Sequence, residues 1–176
     1  YETALKSFQK IATDEKFSAV VPYYVTQIYY NQKRYDSVIT YASPLVEQED
    51  IKRKPEISRL VGESHFNNED YKEAIPYLEL FVKESRTKTR EDDFQLGYAY
   101  YKSNDPESAI SYFKKTTYSN DSLAQVSNYL IAESYMDLDD KKAARSAYQN
   151  VYNLGQNQEL AEESLFNFAK LSYELA

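Results

Sequence analysis

Two ladders of small residues run through the chain at nearly one period, and no other feature constrains the fold as strongly. In Leu96-Gly97-x-x-Tyr100 a large residue precedes a small one and an aromatic follows a turn later, and Ala109-x-x-x-Phe113 continues the pattern. It returns as Val61-Gly62-x-x-His65 with Ala74-x-x-x-Leu78, and as Ile131-Ala132-x-x-Tyr135 with Ala144-x-x-x-Tyr148. Val25-Thr26-x-x-Tyr29 with Val38-x-x-x-Ala42 is a looser copy. One ladder falls at 26, 62, 97, 132 and 169, the other at 4, 38, 74, 109 and 144, so every interval lies between 34 and 37 residues. Helices that cross at about 8–10 Å need a small residue at the crossing, with large ones filling the gaps beside it. One such pair cannot bury its apolar faces alone, so successive pairs stack and share a core.

The spacing predicts ten helices, at about 1–13, 17–31, 35–47, 55–67, 71–85, 90–103, 106–118, 122–138, 141–153 and 159–175. Composition agrees, because 3 Gly and 5 Pro in 176 residues leave little material for tight hairpin turns or a phosphate-cradling loop. Pro106 suits a first helical turn, where its missing N–H is no loss. Asn120-Asp121-Ser122 fits a glycosylation sequon but is read as a helix cap; Asp70 and Asp139-Asp140 likewise place negative charge at helix starts. Pro44 and Pro76 fall inside helical patterns, with a bend or early end expected at Pro44 and tolerance at Pro76.

These residues resemble the tetratricopeptide repeat (TPR), a helix–turn–helix unit of about 34 residues with the pattern W-x-x-L-G-x-x-Y…A-x-x-x-F…P. The third full copy matches it except that Asp93 stands where the family often has Trp. The family's Pro after the second helix is missing throughout, with Asp50, Arg86, Asp121 and Gln156 at those places. The resemblance implies an all-α fold, a right-handed superhelical stack of antiparallel helix pairs. Its units are a half repeat at 1–16, repeats at 17–52, 53–88, 89–123 and 124–158, and a half repeat at 159–176. An array that opens and closes in mid-repeat is expected to be a segment of a longer repeat protein. The long periods are also similar to those of bacterial cell-envelope TPR proteins of the Tol–Pal coordinator type, which implies a periplasmic or outer-membrane-associated location.

With 21 basic and 28 acidic residues the formal net charge is −7, which repels a phosphate backbone and argues against nucleic acid as a partner. No apolar run is long enough to insert in a membrane. The absence of Cys removes thiol chemistry, disulfides and Cys-type zinc sites. His65, the only His, occupies the aromatic slot held elsewhere by Tyr29, Tyr100 and Tyr135, and is read as a packed side chain. The clusters Glu47, Glu49, Asp50 and Asp137, Asp139, Asp140 lack the Gly-containing loop of an EF-hand and are read as solvated helix ends. No cofactor, metal site or catalytic residue is expected, and the chain is read as a non-enzyme.

Within the TPR resemblance, first-type helices line a concave groove, and the residues one after and three before each small residue point into it. The candidate partner-binding residues are Tyr23, Gln27, Tyr30 and Asn31 in the first copy, and Arg59, Glu63, Phe66 and Asn67 in the second. The third gives Phe94, Tyr98, Tyr101 and Lys102; the fourth gives Tyr129, Glu133, Met136 and Asp137; the last helix adds Phe166, Lys170 and Tyr173. Aromatic, Met and Arg side chains are the types enriched at interface centres, so a peptide or partner domain is the expected ligand. Co-chaperone members of the family hold a C-terminal carboxylate with a Lys and Asn clamp, where this chain has Tyr23 and Gln27. The alternative is a structural spacer in a larger protein, and the apolar faces at both ends leave end-to-end self-association open.

Overall fold

The computed structural model describes residues 1–176 as ten α-helices with no strand. The chain divides into two compact units, Tyr1–Lys88 and Thr89–Ala176. The first holds α1 (Glu2–Ile11), α2 (Val21–Asn31), α3 (Tyr35–Val46), α4 (Lys54–Asn67) and α5 (Tyr71–Glu84). The second holds α6 (Arg90–Lys102), α7 (Pro106–Lys114), α8 (Ser122–Asp137), α9 (Lys141–Leu154) and α10 (Gln158–Glu174).

Two helices differ from the spacing-based expectation. α2 begins at Val21 rather than 17, because Pro22 has no N–H to donate and sits comfortably only in the first turn. Residues 12–20 form successive turns instead. α7 stops at Lys114 rather than 118: the Thr116 hydroxyl donates to the Phe113 carbonyl at 2.7 Å and lies 2.6 Å from the Ser127 hydroxyl, holding this segment in a turn against α8. Pro44 and Pro76 remain inside α3 and α5; α3 ends two residues beyond Pro44.

Each turn between paired helices is built the same way. The amides of Arg34, Asp70, Asp105 and Asp140 donate to the carbonyls of Tyr29, His65, Tyr100 and Tyr135 at 2.9–3.1 Å. One residue earlier, Lys33, Glu69, Asn104 and Asp139 adopt the left-handed conformation, with φ of 55–63°, and donate to Tyr30, Phe66, Tyr101 and Met136. This double return is the Schellman arrangement, which satisfies the carbonyls left over at a helix C-terminus. Asp105 and Asp140 then cap the following helices, accepting from the amides of Ser108 and Ala143.

The ladders mark the helix crossings. Thr26, Gly62, Gly97 and Ala132 are buried, as are Val38, Ala74, Ala109 and Ala144. A Cβ added at Gly62 would stand 2.8 Å from Leu78 Cδ2 and 3.1 Å from the Leu78 amide nitrogen; one at Gly97 would meet the Phe113 ring at 3.0 Å. Glycine is therefore required there for close approach of α5 to α4 and of α7 to α6. The outermost rungs behave differently: Ala4 and Ala169 are exposed. α1 packs on α2 through Leu5, and α10 packs on α9 through Ala161, Ser164 and Leu171, so neither alanine lies at a crossing. Phe8 is half-buried and Ile11 exposed, so the apolar slots assigned to α1 from the sequence are shifted to Leu5.

In the first unit one core gathers Tyr23, Val38, Ala42, Val46, Ile51, Ile57 and Val61, and a smaller one gathers Leu5, Val21, Val25 and Ile28. The second unit has a single core of nine buried residues, among them Phe113, Ile131, Tyr148 and Leu171. Gln125, with no exposed surface, ties that unit together: its amide group donates to the carbonyls of Val151 and Asn157 and accepts from the Asn157 amide.

Candidate interaction face

In the second unit the first-type helices α6, α8 and α10 carry a continuous set of aromatic and acidic side chains. Phe94, Tyr98 and Tyr101 follow one another along α6, with centroids 6.3 Å apart for each successive pair. Phe94 also leans on the core ring of Phe113 at 5.5 Å. On α8, Tyr129 stands edge-on to Tyr148 at 6.1 Å and donates its hydroxyl to Glu163 of α10 at 2.9 Å. The Tyr148 hydroxyl, reaching up from α9, donates to Glu133. Met136 is exposed, as are Lys102, Asp137, Phe166, Lys170 and Tyr173. Phe166 and Tyr173, at 70% and 87% exposure, stand clear of the core. A small cavity of about 130 Å³ opens beside Met136, lined also by Lys141, Tyr148, Asn167, Lys170, Leu171 and Glu174.

The phenols report the local field. Burial, and then the carboxylates of Glu133 and Asp137, hold the Tyr101 phenol above its ordinary range. Tyr129 is raised further by burial, its bond to Glu163 and the charge of Glu133. Tyr148 is raised by burial and its bond to Glu133. None of Glu133, Asp137 and Glu163 has a Lys or Arg within ion-pair distance, and no cation of the chain lies over the Tyr101 or Tyr129 ring.

The first unit closes the corresponding positions on itself. Tyr23, only 9% exposed, is part of the core, and the Arg53 guanidinium covers it 3.6 Å from the ring centroid. Glu63 is buried: it accepts from Arg59 Nε at 2.7 Å and lies near the Tyr30 phenol, which burial and this carboxylate hold above its usual range. Arg59 also lies over Phe81 at 5.2 Å. Phe66 is half-buried edge-on to Tyr71, Gln27 is half-buried, and Asn31 and Asn67 are exposed. Asn67 donates to the Glu63 carbonyl at 2.6 Å. The structure thus brings Tyr30, Arg59, Glu63 and Asn67 together, and separately Tyr101, Tyr129 and Glu133.

Three participants escape a rule based on the small-residue ladder. Glu163 lies a turn before the first α10 position that the rule reaches, Tyr148 occupies a second-type slot assigned to packing, and Arg53 belongs to the connection before α4. The signal for Glu163 is its spacing of 34 residues from Tyr129, about one repeat. His65 stacks on Tyr77 at 5.7 Å, with Nδ1 3.8 Å from an Asp70 carboxylate oxygen and without a hydrogen bond. No group of three or more His, Cys, Asp or Glu side chains is arranged to hold a metal ion. No helix is long and apolar enough to cross a membrane.

Antiparallel helix pairs with small residues at their crossings and Schellman turns between them define a fold of the tetratricopeptide-repeat type. The model of one such family, described as anaphase-promoting complex, cyclosome, subunit 3, matches residues 67–151. Among solved structures, the MamA RS-1 ArsTM double mutant is similar with a TM-score of 0.65 at 21% identity, over 89% of this chain and 86% of that one. Another structure of MamA gives 0.56 at 16% identity, covering 85% and 93%. YrrB, described as a TPR protein with an unusual peptide-binding site, gives 0.59 at 15% identity, covering 95% and 93%. No curated protein matches the sequence.

Proposed function

We propose that the chain is a protein-interaction scaffold and that the α6, α8 and α10 face of the second unit takes a peptide or partner domain. The observation that carries this reading is the group Tyr98, Tyr101, Tyr129 and Met136, kept part-exposed on neighbouring helices although the chain has a core in which to bury such side chains. Rigid aromatic rings give large contact area with little rotamer freedom to lose, which suits an interface centre. The peptide-binding description of YrrB supports the reading by analogy of fold. The first unit favours a structural role, because Tyr23 and Glu63 are consumed by its own packing.

A photo-crosslinking residue placed at 101, and in a second protein at Tyr152, exposed on α9, tests the face in extract of the source organism. A partner protein trapped from 101 and absent from 152 is expected, with loss of the partner in the Tyr98→Ala, Tyr101→Ala variant at unchanged melting temperature. Equal trapping from both positions, or none from 101, overturns the proposal.

A further inference from the structure

We infer that the segment docked on the α8 face is basic, a Lys- or Arg-bearing peptide or helix whose cation enters between Tyr101, Tyr129 and Glu133; this rests on the interaction face proposed above. The first argument is a comparison of two repeats within the chain. In the second repeat the residues three before and one after the small residue are Arg59 and Glu63, and they pair at 2.7 Å. In the fourth, the same places hold Tyr129 and Glu133. The carboxylate is kept and its internal cation is replaced by a ring, so Glu133 accepts from a phenol and is paired with no cation of the chain.

Charge on the surrounding surface has the same sign. Glu133, Asp137 and Glu163 stand on neighbouring turns of α8 and α10 without an ion pair, and Lys170 on α10 reaches none of them. The unit as a whole has 14 acidic against 8 basic side chains, net −6, whereas the first unit has 14 against 13, net −1. Nearly all of the molecule's net charge therefore lies on the unit that carries this face, and a cationic segment is steered toward that unit. On arrival, an ammonium or guanidinium meets a carboxylate and the faces of two tyrosine rings, the combination in which charge pairing and cation–π attraction act together. Arginine satisfies both with one planar group.

The probe is a fluorescent amphipathic peptide of Leu and Arg, compared with its counterpart in which every Arg is Glu, by anisotropy at low salt. The Arg peptide is expected to bind and the Glu peptide to fail. Glu133→Gln retains an acceptor for Tyr148 and is expected to weaken binding about tenfold, the scale of one desolvated charge contact. Glu107→Gln, which removes the same charge from an exposed position at the start of α7, should leave it within about twofold. Tyr129→Arg rebuilds the internal pair of the second repeat and is expected to abolish binding, with its melting temperature showing that the fold is kept. Equal binding of the two peptides, equal loss in Glu133→Gln and Glu107→Gln, or an unaffected Tyr129→Arg overturns the basic-segment inference. If in those cases Tyr101→Ala still releases peptide, the interaction face stands and only its charge preference falls.

Discussion

At the scale of single residues the tyrosines decide how the molecule responds to alkali. The phenols of Tyr30, Tyr41, Tyr101, Tyr129 and Tyr148 are all held above their ordinary range, by burial first and then by neighbouring groups. Below about pH 10, the usual phenol value, folded and unfolded chains are both protonated and the contribution of these groups to stability is complete. Above it the unfolded phenols ionise while the folded ones keep their protons, so stability falls as pH rises. The melting temperature is thus expected to hold from pH 8 to 9.5 and to drop through pH 10–12, with the phenolate absorbance of these five tyrosines appearing together with unfolding. Tyr148→Phe keeps the buried ring and removes the hydrogen bond to Glu133, which costs about 1–3 kcal/mol at pH 8 for a bond to a charged group. Its alkaline decline should be shallower than that of the parent. A parallel decline in both proteins would show that Tyr148 is not among the groups responsible.

At the scale of helices and turns, the four Schellman turns hold a strain that the sequence did not announce. Lys33 and Glu69 are ordinary side chains in the left-handed region, where a Cβ crowds the following carbonyl; Asn104 and Asp139 tolerate it better. Glu69→Gly is expected to stabilise the protein by about 0.5–1 kcal/mol in urea denaturation, since relief of backbone strain exceeds the extra freedom glycine brings to the unfolded chain. The exposed Glu69 side chain makes no hydrogen bond or ion pair that would offset the gain; an unchanged or lowered midpoint would remove strain from the account of these turns. Helices themselves were legible because period and burial coincide: the ladder at Gly62, Gly97 and Ala132 marks real crossings. Boundaries were lost where a side chain rather than the period decides, as with Pro22 and with Thr116 bonding back to Phe113. The candidate face was legible as a set of positions but not as a set of pairings. Arg59 with Glu63 and Tyr129 with Glu133 look alike on a helical wheel, and only the three-dimensional neighbours show that one carboxylate is paired with a cation and the other with a phenol.

At the scale of the whole molecule, the uneven division of charge makes the two units respond differently to salt. Each has its own core, that of Thr89–Ala176 lying wholly within that unit around Phe113, Ile131 and Tyr148. Made alone, residues 89–176 are expected to unfold in one cooperative transition, and at net −6 their compact state is opposed by self-repulsion. Salt shortens the screening length from about 10 Å at 0.1 M to about 3 Å at 1 M, which relieves repulsion spread across a surface. It also weakens the pair Lys141–Glu174, but a solvent-facing pair contributes about 1 kcal/mol or less, and Arg90–Asp121, whose guanidinium is largely buried, is screened less, so the relief of repulsion wins. The melting temperature of 89–176 should therefore rise with NaCl, and by more than that of residues 1–88 at net −1. Glu133→Gln should take away part of the rise, because it removes one of the unpaired charges held among aromatic rings, where screening by water is weakest. An equal rise in the two units would mean that salt acts on apolar burial in both, and the concentration of negative charge on the second unit would then have no energetic consequence for its fold.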